Sequence, residues 1–456
     1  MMHPRRKWVL FGWLGLFVFF LLACPVLAQE ELPPPGKPLT LEQCTALALK
    51  YHPSLRVSQE TVIASKARVE QALANYYPQV NVTGSYNTST ANFSSASTTV
   101  RPAGLGYNWT FYDLYSAGAS LNQNIYDFGR TSNSVKINRE NVKASEEDLN
   151  TTKQSVVLNV RQAYYGVLQG LEISKVAEDT VNQSKQHLDQ AQGFYQAGTR
   201  PKIDVTKAEV DLANAELALI VAKNNYQVAR VTLNNAMGLR QDLKFAINES
   251  IDLKPKTFTL AEIFESAYSK RPEILQLKAR QRSQDATVKL AQASYYPTLS
   301  GVANYLYRGT DLSPMYWDLS VGAILTIPIF SGFSSPNQVA EARANLRNLQ
   351  AQEENLLLNI RLEAEQAYLN QKQAIDRIAV AEKAVRQAQE NYDLATGRYQ
   401  VGVGSPLEIT DAEVSLANAK ANYIQALYDM KVSEAKIEKA MGLPANGGAV
   451  PEVKGK

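Results

Sequence analysis

The chain has 456 residues, 45% hydrophobic and 20% charged, with 47 basic against 44 acidic side chains and two cysteines. A near-neutral balance gives no electrostatic case for nucleic acid as a partner, and two cysteines do not make a disulfide framework. No segment after the first 28 residues reaches the ~18 consecutive apolar residues of a transmembrane helix.

Arg5, Arg6 and Lys7 precede an apolar run from Trp8 to Leu22, and Val26-Leu27-Ala28 offers small-residue cleavage before Gln29. Residues 1–28 read as a secretory signal peptide. A second processing fits the same stretch, because Leu21-Leu22-Ala23-Cys24 resembles a bacterial lipoprotein box that would lipidate Cys24. Cleavage after Ala28 leaves 44 basic against 44 acidic residues and Cys44 as the sole thiol. Residues 29–38 are proline-rich and polar and read as an extended tether.

The remainder is written twice, and an internal duplication sets the architecture before any local motif does. Leu41-Glu42 through Tyr76-Tyr77-Pro78 matches Leu260-Ala261 through Tyr295-Tyr296-Pro297 at an offset of 219. Ala163-Tyr164, Tyr195-Gln196-Ala197-Gly198 and Met237-Gly238-Leu239 match later segments at an offset of 204. The first copy therefore carries 15 extra residues, placed in Asn87–Gly106 and read as a longer external loop. The copies span 39–251 and 258–443, with a linker at 252–257 and a tail at 444–456.

In chain order, Cys44 falls in the apolar stripe of the first helix and reads as a packed small hydrophobe. Pro53 and Pro272 break the helical pattern at matching positions. After each Tyr-Tyr-Pro the period changes from helical to alternating, predicting strands at 77–90 and 107–125, then at 298–308 and 316–327. Val80, Val82, Gly84 and Tyr86 share one strand face; Leu319, Val321, Ala323, Leu325 and Ile327 share another. Strands of about ten residues with aromatic flanks suit an outer-membrane barrel, and a periplasmic β-hairpin shows the same alternation. Four strands cannot close a barrel, and open edges are not tolerated in lipid. If these strands span a membrane, several chains must contribute.

Long glycine-poor stretches predict helices over about 132–195 and 338–399. Helices of roughly 60 residues run about 90 Å and suggest coiled-coil packing. A 4-3 seam reads from Ala342 through Ile360, Ala367, Asn370, Ala374, Arg377 and Ala384 to Ala388, with a second stripe through Leu357, Ala364, Ile378, Val385 and Tyr392. Two flanks per helix favour a ring of helices. Each long helix ends at a glycine, Gly198 or Gly402, followed by Pro201 or Pro406, and the chain returns in shorter helices over about 204–236 and 260–293.

This pattern resembles the TolC-like outer membrane efflux protein family. The resemblance rests on Leu39-Thr40-Leu41-Glu42 with His52-Pro53, the two Tyr-Tyr-Pro marks, Ile125-Tyr126-Asp127-Phe128-Gly129 and Ile329-Phe330-Ser331-Gly332, and the tip segments at 195–208 and 399–412. It implies a mainly α fold with a membrane β-barrel: a duplicated unit of long coiled-coil helices plus two β-hairpins per chain, forming a trimeric α-barrel/β-barrel channel. It also implies a homotrimer in outer-membrane lipid, docked through a periplasmic adaptor protein to an inner-membrane transporter. The function expected is a passive outer-membrane exit duct for a tripartite efflux or secretion system; the alternative is a periplasmic adaptor or coiled-coil scaffold.

No enzyme motif and no cofactor-binding fingerprint is visible, and His52 and His187 have no partners at metal-ligand spacing. Interest falls on the helical tips. Gly198, Pro201, Gly402 and Pro406 are expected to dock the adaptor. Asp204, Glu408 and Asp411 read either as helix-end carboxylates satisfying the macrodipole or, with Arg200, as an aperture. In a trimer Glu408 and Asp411 would place six carboxylates at the narrow end. The resemblance places acids of the periplasmic constriction at these second-copy positions. The family's basic residue between glycine and acids is replaced by Gly404, and Arg200 of the first tip is expected to pair with the second tip's acids.

Overall fold

The computed structural model describes residues 38–90, 111–239, 247–248 and 254–444. The signal segment with Cys24, the tether up to residue 37, most of the inserted loop and the tail from residue 445 lie outside the described residues.

The duplication is exact at the level of elements. Helices α1 (Leu41–Tyr51) and α2 (Pro53–Leu73) recur as α5 (Leu260–Lys270) and α6 (Pro272–Gln292). Strands β1 (Gln79–Thr90) and β2 (Phe111–Tyr126) recur as β3 (Thr298–Gly309) and β4 (Tyr316–Thr326). The long helices α3 (Arg130–Gln196) and α7 (Ser334–Gln400) are both 67 residues, and α4 (Lys202–Ala236) and α8 (Pro406–Ala440) are both 35. At 1.5 Å per residue the long helices run about 100 Å. They start two and four residues earlier, respectively, than the glycine-poor stretches suggested.

Local chemistry sets the boundaries. Thr40 with Gln43, and Thr259 with Glu262, form capping boxes at the starts of α1 and α5. Pro53 and Pro272 sit at N1 of α2 and α6, where a missing N–H costs nothing, so each expected break is a clean helix end. His52 is spent there: its Nδ1 accepts from the Ser54 amide at 3.2 Å. Cys44 is fully buried in the largest core cluster, and burial pushes its thiol up to about 12.

The four strands form one antiparallel sheet in the order β1-β2-β3-β4, so β1 and β4 are both open edges. The register aligns Val82, Ala119, Tyr305 and Leu319 across it, and Val80, Leu121, Ala303 and Val321 in the next row. The two alternating faces expected from sequence are thus one continuous apolar face. The other face carries Asn81, Ser120, Asn304 and Ser320. Aromatics bracket the apolar face. Tyr86 lies 5.0 Å from Tyr115, and Tyr305 lies 5.3 Å from Tyr307, at one end; Phe128 stacks 5.4 Å from Tyr296 at the other. Each strand-to-helix step uses two left-handed residues, Phe128-Gly129 and Gly332-Phe333, with the glycine and the phenylalanine exchanged between copies.

Below the sheet the helices pack as the return path requires. The first long helix α3 is flanked by α2 and α4 of its own copy and by α6 and α8 of the other. The linker is pinned across this layer. Lys431 donates to the Lys254 carbonyl at 2.8 Å, Glu434 accepts from the Lys256 amide at 2.7 Å, and Gln371 donates to the Lys256 carbonyl at 2.6 Å. Tyr164 donates to the Asn248 carbonyl at 2.9 Å.

The seam of α7 departs from the sequence reading. Buried or half-buried positions run 342, 346, 349, 353, 356, 360, then 364, 367, 371, 374, 378, 381, 385, 388, 392, 395 and 399. One 4-4 step, Leu356–Ile360–Ala364, moves the seam from the first stripe to the second. Asn370, Arg377 and Ala384, expected in the seam, are exposed. The cause is a change of neighbour. Gln281 and Gln284 of α6 bond to α7 above the step, and α8 takes over below it, where Ala395 and Tyr399 cluster with Ile409 and Ala412.

Candidate functional site: the helical tips

Both tips close the same way. Gly198 (φ +72°) and Gly402 (φ +85°) adopt the left-handed conformation that terminates a helix. The Thr199 amide donates to the Phe194 carbonyl at 3.0 Å, and the Val403 amide to the Arg398 carbonyl at 3.1 Å. Pro201 occupies the N-cap of α4, whereas Ser405 caps α8 by accepting from the Leu407 amide at 3.2 Å, with Pro406 at N1. With Ser405 as cap, Glu408 falls in the first turn and Asp411 one turn further in; neither carboxylate is the cap itself.

Arg200 does not pair with the acids of the second tip. Its Nη2 donates to the carbonyls of Gly402 at 3.1 Å and Gly404 at 2.9 Å, and its guanidinium lies 5.0 Å from the Tyr399 ring centre. It staples the first tip to the second within one chain. The reason lies at Gly404, where a Cβ would come within 2.8 Å of the Tyr399 amide nitrogen; the position admits no side chain, and its carbonyl is left facing Arg200. Glu408 instead meets Arg398 of α7 at 3.3 Å, an exposed pair. Asp411 is exposed.

Asp204 also differs from its expected place at an exposed aperture. It is buried, and one of its carboxylate oxygens has no hydrogen-bond partner. It belongs to a buried polar cluster between the tips. Tyr399, fully buried with its hydroxyl unpartnered, packs edge-on against His187 at 5.1 Å and Phe194 at 5.6 Å. His187 is buried with neither ring nitrogen bonded. Burial pushes the His187 imidazole below its ordinary 6.5, opposed by the nearby Asp211 carboxylate. Burial also raises the Tyr399 phenol, with Asp204 adding to it.

One turn further from the tip, Ser184 donates to Glu413, whose carboxyl is raised by burial. Lys207 bridges Asp211 at 3.2 Å and Thr410 at 3.0 Å, and Thr410 donates to Asp211 at 2.7 Å. Sequence reasoning missed this network. Its one available signal was a tyrosine and a histidine at helical spacing from a tip glycine, and Tyr195 carries the same spacing without the burial. Among the described residues no group of three or more His, Cys, Asp and Glu could hold a metal ion. What these residues build is a staple and a packed polar joint between two turns.

The profile of the outer membrane efflux protein family matches residues 45–239 and 263–443. The chain is 22% identical to the outer membrane protein TolC of Escherichia coli K12, over 86% of this chain and 80% of that one. It is 24% identical to the outer membrane efflux protein BepC of Brucella suis, over 88% and 85%. The CmeC outer membrane channel of Campylobacter jejuni superposes with a TM-score of 0.76 at 19% identity, covering 88% of this chain and 85% of that one. With a duplicated helix-and-sheet unit, an apolar aromatic-flanked sheet and a family match over both copies, the chain belongs to the outer membrane efflux protein family and is an outer-membrane exit duct of an efflux system.

Proposed function

We propose that three copies of this chain assemble into a passive duct, the sheets closing as one barrel in outer-membrane lipid and the helices extending it through the periplasm. The observation that carries this is the sheet. One face is apolar and aromatic-flanked, yet the outer edges of β1 and β4 are unpaired, and unpaired edges are too costly in lipid. Three copies supply twelve strands, above the practical minimum of about eight for closure. Native mass spectrometry in mild detergent should show three chains; a monomer stably inserted in bilayers would end the proposal.

The energy for export comes from an inner-membrane transporter reached through a periplasmic adaptor, and no catalytic step is assigned to the duct. The turns at Gly198–Pro201 and Gly402–Pro406 lie at the end of the helices opposite the sheet, which suits them to adaptor docking. A Cβ at Gly198 or Gly402 meets nothing within 4 Å, so a substitution there acts through the backbone, where a left-handed non-glycine residue costs about 1–3 kcal/mol. Gly198→Val or Gly402→Val should abolish export while trimer and insertion persist. Adaptor crosslinks that form at the linker near Lys254 and never at these turns count against tip docking.

A further inference from the structure

Where the sheet meets the helices there is a cavity on each side. One continues the polar face and is lined by Asn122, Asn124 and Ser300. The other, of about 750 Å³, continues the apolar face. Tyr126 pairs with Leu299, and Leu299 with Leu325, in a row two pleats from Ala303 and so on its side of the sheet. The Tyr126 ring meets Phe128 edge-on at 4.7 Å, and Phe128 stacks on Tyr296. Phe128 and Tyr296 both line this second cavity. The turn that carries Tyr296 is held from behind, where Arg130 donates to the carbonyls of Ala293 at 3.2 Å and Tyr296 at 3.3 Å.

The charge of this cavity is one-sided. Lys289 of α6 and Arg343 of α7 line it, and among the described residues no carboxylate does. Arg343 is exposed and has no hydrogen bond or ion pair among the described residues. Helix α7 runs away from the sheet, and helical side chains tilt toward the N-terminus, so Arg343 leans back toward the apolar face. Lys289 meets Asp285 at 2.9 Å, in a half-exposed pair on one helix, a kind weak enough to be redirected by a nearby anion. The helix end above Arg343 is also positive. Asp127 accepts from the amides of Gly129 and Thr131 at the start of α3. Its counterpart before α7 is Ser331, and no acid falls in the first turn of α7 to complement the dipole.

We infer that this cavity holds the headgroup of an anionic phospholipid from the periplasmic leaflet, with its phosphate on Arg343 and Lys289 and its acyl chains running up the apolar face past Phe128 and Tyr296. The inference rests on that face lying in outer-membrane lipid. Aromatic belts mark the headgroup level of a membrane, and the cavity opens directly beside one. Its volume is within the ~300–1,000 Å³ of pockets that enclose small ligands. The unbonded amide of Gln292 suits the hydroxyls of a glycerol headgroup. An ethanolamine headgroup would bring its ammonium to two cations and no lining carboxylate. The other copy lacks the site. The counterparts of Lys289, Gln292 and Arg343 are Glu70, Leu73 and Arg139, so the lysine is exchanged for an acid and the amide for an apolar side chain. Each chain therefore holds one such lipid.

The full-length protein is reconstituted in phosphatidylethanolamine vesicles with and without phosphatidylglycerol and floated on a density gradient. It is then re-extracted in mild detergent, and the retained lipids are counted by native mass spectrometry. The unaltered chain should retain phosphatidylglycerol over phosphatidylethanolamine, up to one per chain. Lys289→Gln with Arg343→Gln should lower that preference by about tenfold or more, the scale of losing charged hydrogen bonds. Arg139→Gln, at the exposed equivalent position of the first copy, should leave it unchanged. Arg343→Gln alone should give a partial loss and takes the place of the double variant if that one fails to float. Equal retention of both lipids, or a preference that survives the loss of Arg343 and Lys289, overturns the site while leaving the barrel in lipid. An unaltered chain that floats with neither vesicle removes both readings.

Discussion

The two tips are built from the same turn and differ in everything that touches it. Tyr195 and Tyr399 occupy equivalent last-turn positions; one is half exposed and the other fully buried. Arg200 and Gly404 are equivalent; one donates to two carbonyls across the joint and the other supplies one of those carbonyls. Asp204 is buried beside Tyr399, while its equivalent Glu408 lies exposed beside Arg398. Duplication copies an element but not its neighbours, and a residue's role here is set by which element lies alongside.

The largest test of that contrast is truncation of the two tyrosines. Loss of a fully buried aromatic costs about 3–5 kcal/mol, whereas a surface change usually stays within about 0.5 kcal/mol. In a dissociated chain, Tyr399→Ala should strongly raise amide hydrogen exchange at residues 184–205, and Tyr195→Ala should not. Equal effects would erase the distinction between the tips.

Arg200 comes next. Hydrogen bonds from a charged donor are worth about 1.5–3 kcal/mol, so Arg200→Ser should loosen the joint within each chain and raise single-channel conductance in planar bilayers. Lys202→Ser, at an exposed neighbouring position, serves as the control and should leave conductance unchanged.

Acidity should act on the same joint. His187 is held neutral by burial, its imidazole below the ordinary 6.5. Above 6.5 neither the packed nor the opened joint binds this proton. Below 6.5 the opened joint takes it up first, so stability is lost as pH falls. Glu413, raised above 4.5 by burial, works the other way: its contribution is present at low pH and is lost as pH rises through its raised value. Conductance should therefore rise as the pH drops below 6.5. In His187→Phe, which keeps the edge-on ring contact with Tyr399, that rise should vanish and leave only the opposite slope from Glu413.

The smallest effect on stability belongs to the exposed acids. The Arg398–Glu408 pair is worth about 0–1 kcal/mol, so Glu408→Gln with Asp411→Asn should leave thermal unfolding nearly unchanged. The same double variant should weaken cation selectivity and block by multivalent cations. If selectivity and block both survive, these carboxylates only complement the dipole of α8.

Much of the fold was legible because its determinants are local. Pro53 and Pro272 announce helix starts, Gly198 and Gly402 announce helix ends, and alternation in Gln79–Tyr86 and Asp318–Ile327 announces strands. The site was legible only in position. Nothing in residue type says that Arg200 spends its charge on backbone carbonyls, because a carbonyl belongs to every residue. Nor does sequence separate Tyr195 from Tyr399, since the difference is one of tertiary neighbours. Asn370, Arg377 and Ala384 were misplaced for a related reason: a strict heptad assumes one partner along the whole helix, and α7 has two in succession.

That change of partner has a mechanical consequence. A 4-4 step in a seam locally unwinds the supercoil. In α7 it falls at Leu356–Ile360–Ala364, where Ile360 packs with Ala267 and Ile274 and Ala364 packs with Ile263, on either side of the break between α5 and α6. Above this point the helix is tied to the segment leading into the sheet; below it, to the hairpin that ends in the tip. Because the step locally unwinds the supercoil, a rotation of the lower hairpin would be taken up there and would leave the sheet end in place.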